Sequence, residues 1–260
     1  MVRPQTPARS LLLKTDHRPW PIPRARWIWS QKWLDAAFLH WSFTPEEVQE
    51  LLPRGMTLDL WEGRAWISIV AFTMHGVHPQ GLWPMPGLST FAELNIRTYV
   101  VHDGKPGVYF LSIEAANPLA AWLARVASPL PYRFKKMQRS RQNGGEIFEA
   151  GHPAQDGYLH LHYQVGATLP HKTPLDLWLT ERYCLYVDRR EQQLRAEVHH
   201  EPWPLQTMEL LSFQCRYRFS ESVYFHAGPD LVHYSAGVPI LAWKHEPLVT
   251  ATVQTPVHKE

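Results

Sequence analysis

The chain has 260 residues, 45% of them hydrophobic and 19% charged, a balance that suits a globular protein with a sizeable core and excludes a disordered or low-complexity chain. Its formal charge of +2 gives no electrostatic case for nucleic acid or an anionic membrane surface. The 12 Trp and 23 Pro point to short strands and ordered loops rather than a helical bundle.

Residues 1–26, with the run TDHRPWPIPRAR, read as an N-terminal extended arm that either docks or stays poorly ordered. The triplet Leu11-Leu12-Leu13 is too short for a signal-peptide core, and no apolar run approaches the ~18 residues of a membrane span. In WSFTPEEVQELLPRG, Thr44 can cap, Pro45 suits the first helical position and Glu47 completes an S/T-x-x-E box, so a helix is expected near 45–52, ended by Pro53 and Gly55. The period then changes to two. LDLWEGRAWISIVAF reads as two strands about a Glu62-Gly63 turn, and FAELNIRTYVVHDGKPGVYFLSIEA as a hairpin about Asp103-Gly104.

Asn117-Pro118 opens a second helix over 117–127, where apolar residues recur at three and four. YRFKKMQRSRQNGGEIFEA reads as a hairpin turning at Asn143-Gly144, and Thr173-Pro174 starts a further short helix. GYLHLHYQVG, RYCLYVDRREQQLRAEVHH and LVHYSAGVPILAW supply more strands. No repeat or internal linker interrupts the pattern. The expected class is α+β, mainly antiparallel β, with one domain over 27–248 and a C-terminal tail at 249–260. Cys184 and Cys215 belong to no CxxC motif and read as free thiols in a reducing, cytoplasmic setting.

The phrases FLHWSF (38–43), FAELNIRTYV (91–100), SPLPYRFKKM (128–137), LTERYCLYV (179–187), EPWPL (201–205) and LVHYSAGVPILAW (231–243) together resemble the YqjF-like family of bacterial proteins, in the acetoacetate-decarboxylase-like superfamily. The resemblance spans about residues 27–245. It implies a β-cone or barrel: antiparallel strands curled around an interior ligand cavity, with a few outer helices. It supplies no activity.

Successive residues of a strand face opposite ways. On FAELNIRTYV, Ala92, Leu94, Ile96, Thr98 and Val100 make one apolar face, and Phe91, Glu93, Asn95, Arg97 and Tyr99 the other. The second face lines either water or a barrel interior. In the interior case Arg97 binds a ligand carboxylate, Glu93 is an acid, base or acceptor, and Asn95 bridges the two. Glu93 also resembles the cavity glutamate of the decarboxylases. Tyr132 forms a wall. Arg182, beside Cys184 and Tyr186 on LTERYCLYV, meets either a ligand anion or a structural partner in Glu181 or Asp188.

The decarboxylases carry their nucleophilic lysine in a Gly-aromatic-Pro-Lys-Lys pattern. Here Pro131 is followed by Tyr132 and Arg133, which departs from it, and Arg cannot serve as the amine because it stays protonated. The adjacent Lys135 and Lys136 could still form the Schiff-base pair, one ammonium lowering the other's proton affinity. Yet residues 133–141 hold five basic and no acidic side chains, the pattern of a solvated strand, so the two amines are not expected to share a cavity. His160-x-His162 could hold a metal with a third ligand, but spacing identifies none, and no metal or cofactor is expected. No GxSxG, HExxH, Walker or dinucleotide glycine motif is present.

The leading expectation is a cytoplasmic cavity protein for a small organic acid or related polar ligand, with proton-transfer or lyase chemistry open. The alternatives are a lysine Schiff-base decarboxylase or aldolase-type enzyme, and a non-catalytic structural or partner-binding protein whose barrel is filled by its own aromatics. Partners are expected to be small molecules, with neither nucleic acid nor membrane; an oligomer is open.

Overall fold

Ordered structure begins before the first long strand. In the computed structural model, which describes residues 7–189, 192–225 and 227–248, Pro7–Leu12 forms a short helix, α1, where extended chain was expected. Leu11 is buried against Leu241 and Trp243. The expected tail, 249–260, lies outside the described residues.

Trp29–Phe43 forms β1 and Pro45–Gln49 the helix α2, whose start is fixed by the Thr44 backbone N–H donating to the Glu47 carboxylate at 2.8 Å. Thr57–Leu58 is a two-residue β2 and Ala65–Pro79 is β3. The Glu62-Gly63 turn exists, with Trp61 and Arg64 exchanging backbone hydrogen bonds. The strand before it departs from the expected hairpin, because Thr57 and Leu58 pair with Val101 and Val100 instead of β3.

Phe91–His102 is β4 and Lys105–Ala115 is β5. Between them Asp103 and Gly104 both adopt positive φ, 50° and 68°, as a two-residue hairpin turn of this hand requires. Asn117 caps α3, Pro118–Ala127, by accepting from the Leu119 and Ala120 N–H groups. Tyr132–Phe134 is a separate strand, β6, parallel to β5. β7 (Met137–Gln142) and β8 (Gly145–Ala150) form the hairpin at Asn143-Gly144. There follow β9 (Tyr158–Thr168), α4 (Pro174–Thr180), β10 (Cys184–Arg189), β11 (Gln192–His199), β12 (Leu205–Arg216), β13 (Leu231–Ala242) and β14 (Glu246–Pro247).

The strands form one mostly antiparallel sheet in the order β14-β11-β10-β5-β4-β3-β1-β13-β12-β9-β8-β7. It closes on itself, because β11 also pairs with β13 through Val198–Ala242 and His199–Leu241. β1, β3, β4, β5, β10, β11 and β13 therefore make a barrel. Alternate residues send one core inside it, including Phe38, Phe72, Tyr99, Phe110 and Ile240, and Trp203 joins them from the segment between β11 and β12. The β12-β9-β8-β7 extension covers the outside of β1, β3 and β4 with a second core, in which Leu39, Ile69, Leu94 and Ile96 meet Phe148, Leu161 and Tyr163. β4 thus separates two cores rather than a core from water. No described helix is long and apolar enough to cross a membrane.

Candidate functional site

The polar row of β4 is set by register. Glu93 lies opposite Phe72, Asn95 opposite Val70 and Arg97 opposite Ser68, and Val70 and Phe72 belong to the barrel interior. Glu93, Asn95, Arg97 and Tyr99 consequently point inward, and all are buried. Such groups are costly to bury unless partnered, so their partners decide what the row is for.

Arg97 is 4% exposed and has no carboxylate partner among the described residues. Its Nη2 donates a long hydrogen bond, 3.4 Å, to the Leu179 carbonyl, its guanidinium sits 5.8 Å from the Phe38 ring centroid, and its Nε has no hydrogen-bond partner. Asn95 does not make the expected bridge: both of its amide atoms are buried without a partner. Glu93 accepts from the Tyr132 hydroxyl at 3.3 Å, and burial pushes its carboxyl up to about 8, with the Tyr132 hydrogen bond opposing the rise. Near neutrality it is therefore mostly protonated, able to donate as well as accept. The Tyr132 hydroxyl is thus the hydrogen-bond partner of the Glu93 carboxyl.

Arg182 lies at the same cavity but is held by neither Glu181 nor Asp188. Its Nη1 pairs with Asp59 at 2.5 Å, its Nε donates to the Trp178 carbonyl, and its guanidinium stacks over Trp178 and Tyr99 at 4.3 and 4.9 Å. Glu181 instead takes Lys172 and the Tyr183 hydroxyl. Asp59 is 123 positions from Arg182, with no sequence motif to link the two.

Between Arg97 and Arg182 the interior leaves a cavity of about 20 Å³, lined also by Trp33, Thr180, His200 and Trp203. That is room for about one water. Three of its lining donors have no partner: Trp33 Nε1, Arg97 Nε and Arg182 Nη2. The pocket therefore combines spare donors with a guanidinium that meets no carboxylate among the described residues.

The lysines stand elsewhere. Lys135 Nζ meets Glu114 at 2.9 Å, the Tyr217 hydroxyl at 2.9 Å and the Gly157 carbonyl at 2.6 Å. Glu114 alternates with Ile113 and Ala115 of the interior core, so this amine lies on the outer side of β5. Lys136 is exposed. Neither reaches the cavity. On β9, His160 contacts Glu149 and Ser212, and His162 contacts the Gln142 carbonyl.

A family model described as an uncharacterized conserved protein, DUF2071, matches residues 30–239. The uncharacterized protein YqjF of Bacillus subtilis (strain 168) is 34% identical over 226 residues, covering 85% of this chain and 93% of that one. Among solved structures, the enduracididine biosynthesis enzyme MppR complexed with pyruvate superposes with a TM-score of 0.60 at 11% identity, over 89% of this chain and 93% of that one. Acetoacetate decarboxylase from Legionella pneumophila superposes with a TM-score of 0.55 at 12% identity, over 89% and 93%. At these identities the likeness is one of fold.

Proposed function

For a chain that belongs to the DUF2071/YqjF family and is built on the acetoacetate-decarboxylase-like fold, we propose that the barrel interior binds a small organic acid through the Arg97 guanidinium. The observation that carries this is Arg97 itself, buried without a carboxylate partner beside an Asn95 amide with neither atom bonded. An acid that widened the cavity toward Asn95, which does not line it as it stands, would satisfy both, with the spare donors of Trp33 and Arg182 on its other oxygens. Glu93, held neutral by burial, lies roughly 13 Å along the strand less its twist, beyond the span of pyruvate, so it would serve as a proton donor only to a longer acid. A proton-transfer or lyase reaction on an oxo-acid is in reach of that set without an imine. Pyruvate is the first acid to try, since a protein of this fold is described in complex with it. Both described cysteines are free thiols, in keeping with work in a reducing cytoplasm.

One observation favours a second reading. The cavity holds about 20 Å³, and the Trp33 and Trp203 indoles with Phe38 and Phe72 occupy the remaining interior. A barrel filled in this way would be a structural or partner-binding module. Calorimetric titration with millimolar pyruvate and other 2-oxo acids separates the two. Binding heat that disappears in Arg97→Met supports the acid site; no heat with any acid, at unchanged melting temperature, supports the filled barrel.

A further inference from the structure

Five buried side chains on separate elements form one continuous hydrogen-bonded chain. Asp176 Oδ1, on α4, lies 2.8 Å from His233 Nε2 on β13. His233 Nδ1 lies 3.3 Å from His40 Nε2 on β1. His40 Nδ1 lies 2.6 Å from the Ser68 hydroxyl on β3, and that hydroxyl lies 2.5 Å from the Tyr99 hydroxyl on β4. Tyr99 ends the chain against the Leu179 carbonyl at 3.0 Å, the same oxygen that receives Arg97 Nη2. Strand order explains the assembly: β13, β1, β3 and β4 are successive neighbours, and His40 sits opposite Ser68, which sits opposite Arg97. His40 and Ser68 have no measurable exposure, so no solvent competes along the path.

Counting protons shows what such a chain can do. In one setting every donor points toward Asp176. The Tyr99 O–H donates to Ser68, the Ser68 O–H to His40 Nδ1, His40 Nε2–H to His233 Nδ1, and His233 Nε2–H to the carboxylate. In the opposite setting the Tyr99 O–H donates to the Leu179 carbonyl, Ser68 to Tyr99, His40 Nδ1–H to Ser68, and His233 Nδ1–H to His40. The contact between His233 and Asp176 then needs a proton of its own. The second setting therefore holds one proton more than the first, and passing from it to the first delivers one proton out of the Tyr99 end.

We infer that Asp176, His233, His40, Ser68 and Tyr99 form a proton-transfer path from the first turn of α4 to the Leu179 carbonyl that Tyr99 shares with Arg97, with Tyr99, once turned from that carbonyl, the group that exchanges a proton with an acid bound at Arg97. The step balances. The His233 Nδ1 proton passes to His40 Nε2, the His40 Nδ1 proton to Ser68, the Ser68 proton to Tyr99, and the Tyr99 proton to the ligand, while His233 returns to neutral beside an ionised Asp176. The role at the ligand rests on the acid-site reading; the path itself does not. Burial holds His40 well below the usual histidine range, helped by His233 and Arg97. For His233, burial and Lys172 act downward while Asp176 acts upward. His233 is lowered overall. Asp176 also stands below its ordinary value, burial being outweighed by the hydrogen bonds from Thr173 and by His233. The extra proton is therefore taken up at that end only as pH falls below the ordinary histidine range, and it crosses His40 only in transit.

The test is the tautomeric state of the histidines in the ligand-free protein, read by nitrogen-15 NMR while pH falls from 8 until acid unfolding. The path predicts that His40 stays neutral but switches from Nε2–H to Nδ1–H at the midpoint of His233 protonation. The Tyr99 ring Cζ shift should move at the same midpoint in the wild type and stay still in Ser68→Ala. Asp176→Asn should lower that midpoint by about one to three pH units. A His40 that keeps one tautomer down to unfolding, or that takes up its own proton, overturns the inference. Because no ligand is present, these outcomes are independent of whether pyruvate binds.

Discussion

Replacing Glu93 by Gln tests whether the barrel interior holds a neutral carboxyl. In the folded chain its pKa stands at about 8 against an ordinary 4.5. Between those values the unfolded chain has released a proton that the folded chain still holds, so the folded state binds more protons and stability must fall as pH rises. The loss begins above the ordinary value and is complete once pH passes about 8. At ~1.4 kcal/mol per pH unit, the span corresponds to on the order of 5 kcal/mol, an upper bound because water entry or local relaxation would reduce it. Gln has the same shape, accepts from Tyr132 and does not titrate. At pH 5 the two proteins should melt within a degree or two of each other. By pH 8.5 Glu93→Gln should be the more stable by several kcal/mol, equivalent to about 10 °C for a chain of this size. Differential scanning calorimetry of both proteins across that range supplies the comparison. Parallel pH profiles for wild type and variant would refute the buried, neutral carboxyl.

Other expectations follow from the partners of the remaining charges. Arg182→Met should lower stability by ~3 kcal/mol, since it leaves the Asp59 carboxylate without its guanidinium; urea unfolding gives the value, and an unchanged midpoint would mean the pair contributes nothing. Lys135→Met should cost a similar ~3 kcal/mol by stranding Glu114, which the Lys135 amine meets at 2.9 Å. Borohydride added with pyruvate to the wild type should leave its intact mass unchanged, and a covalent increment on Lys135 or Lys136 would restore the Schiff-base mechanism.

Much of the architecture was legible where polar punctuation brackets a strand. Asp103-Gly104, Asn143-Gly144, Asn117-Pro118 and Thr173-Pro174 each sit where an element turns or starts. The inward row of β4 was legible because polar residues take every second place on it. β1 was not, although it lies between β3 and β13. Its residues from Ala36 to Trp41 are buried on both faces, which erases the alternation, and an irregularity between Leu34 and Ala37, with Asp35 at positive φ, resets the register. β12 was hidden by MELL, whose composition suits a helix as well as a strand.

The site residues divide in the same way. A side chain's face follows from local period, so Glu93, Asn95 and Arg97 could be placed together in advance. Its partner does not. Asp59 for Arg182, Glu114 and Tyr217 for Lys135, and His233 for His40 are contacts across 123, 21, 82 and 193 positions, made only when the sheet closes. The size of the cavity is likewise a matter of how Trp33 and Trp203 pack, which no spacing encodes.

The most direct test of the acid site is a crystal structure of the protein grown with saturating pyruvate. The account predicts the pyruvate carboxylate inside the barrel, hydrogen-bonded to Arg97, with the Asn95 amide engaged and the Trp33 or Trp203 indole displaced to widen the cavity. An interior unchanged at saturation, with Arg97 still unpaired and both indoles in place, would contradict it.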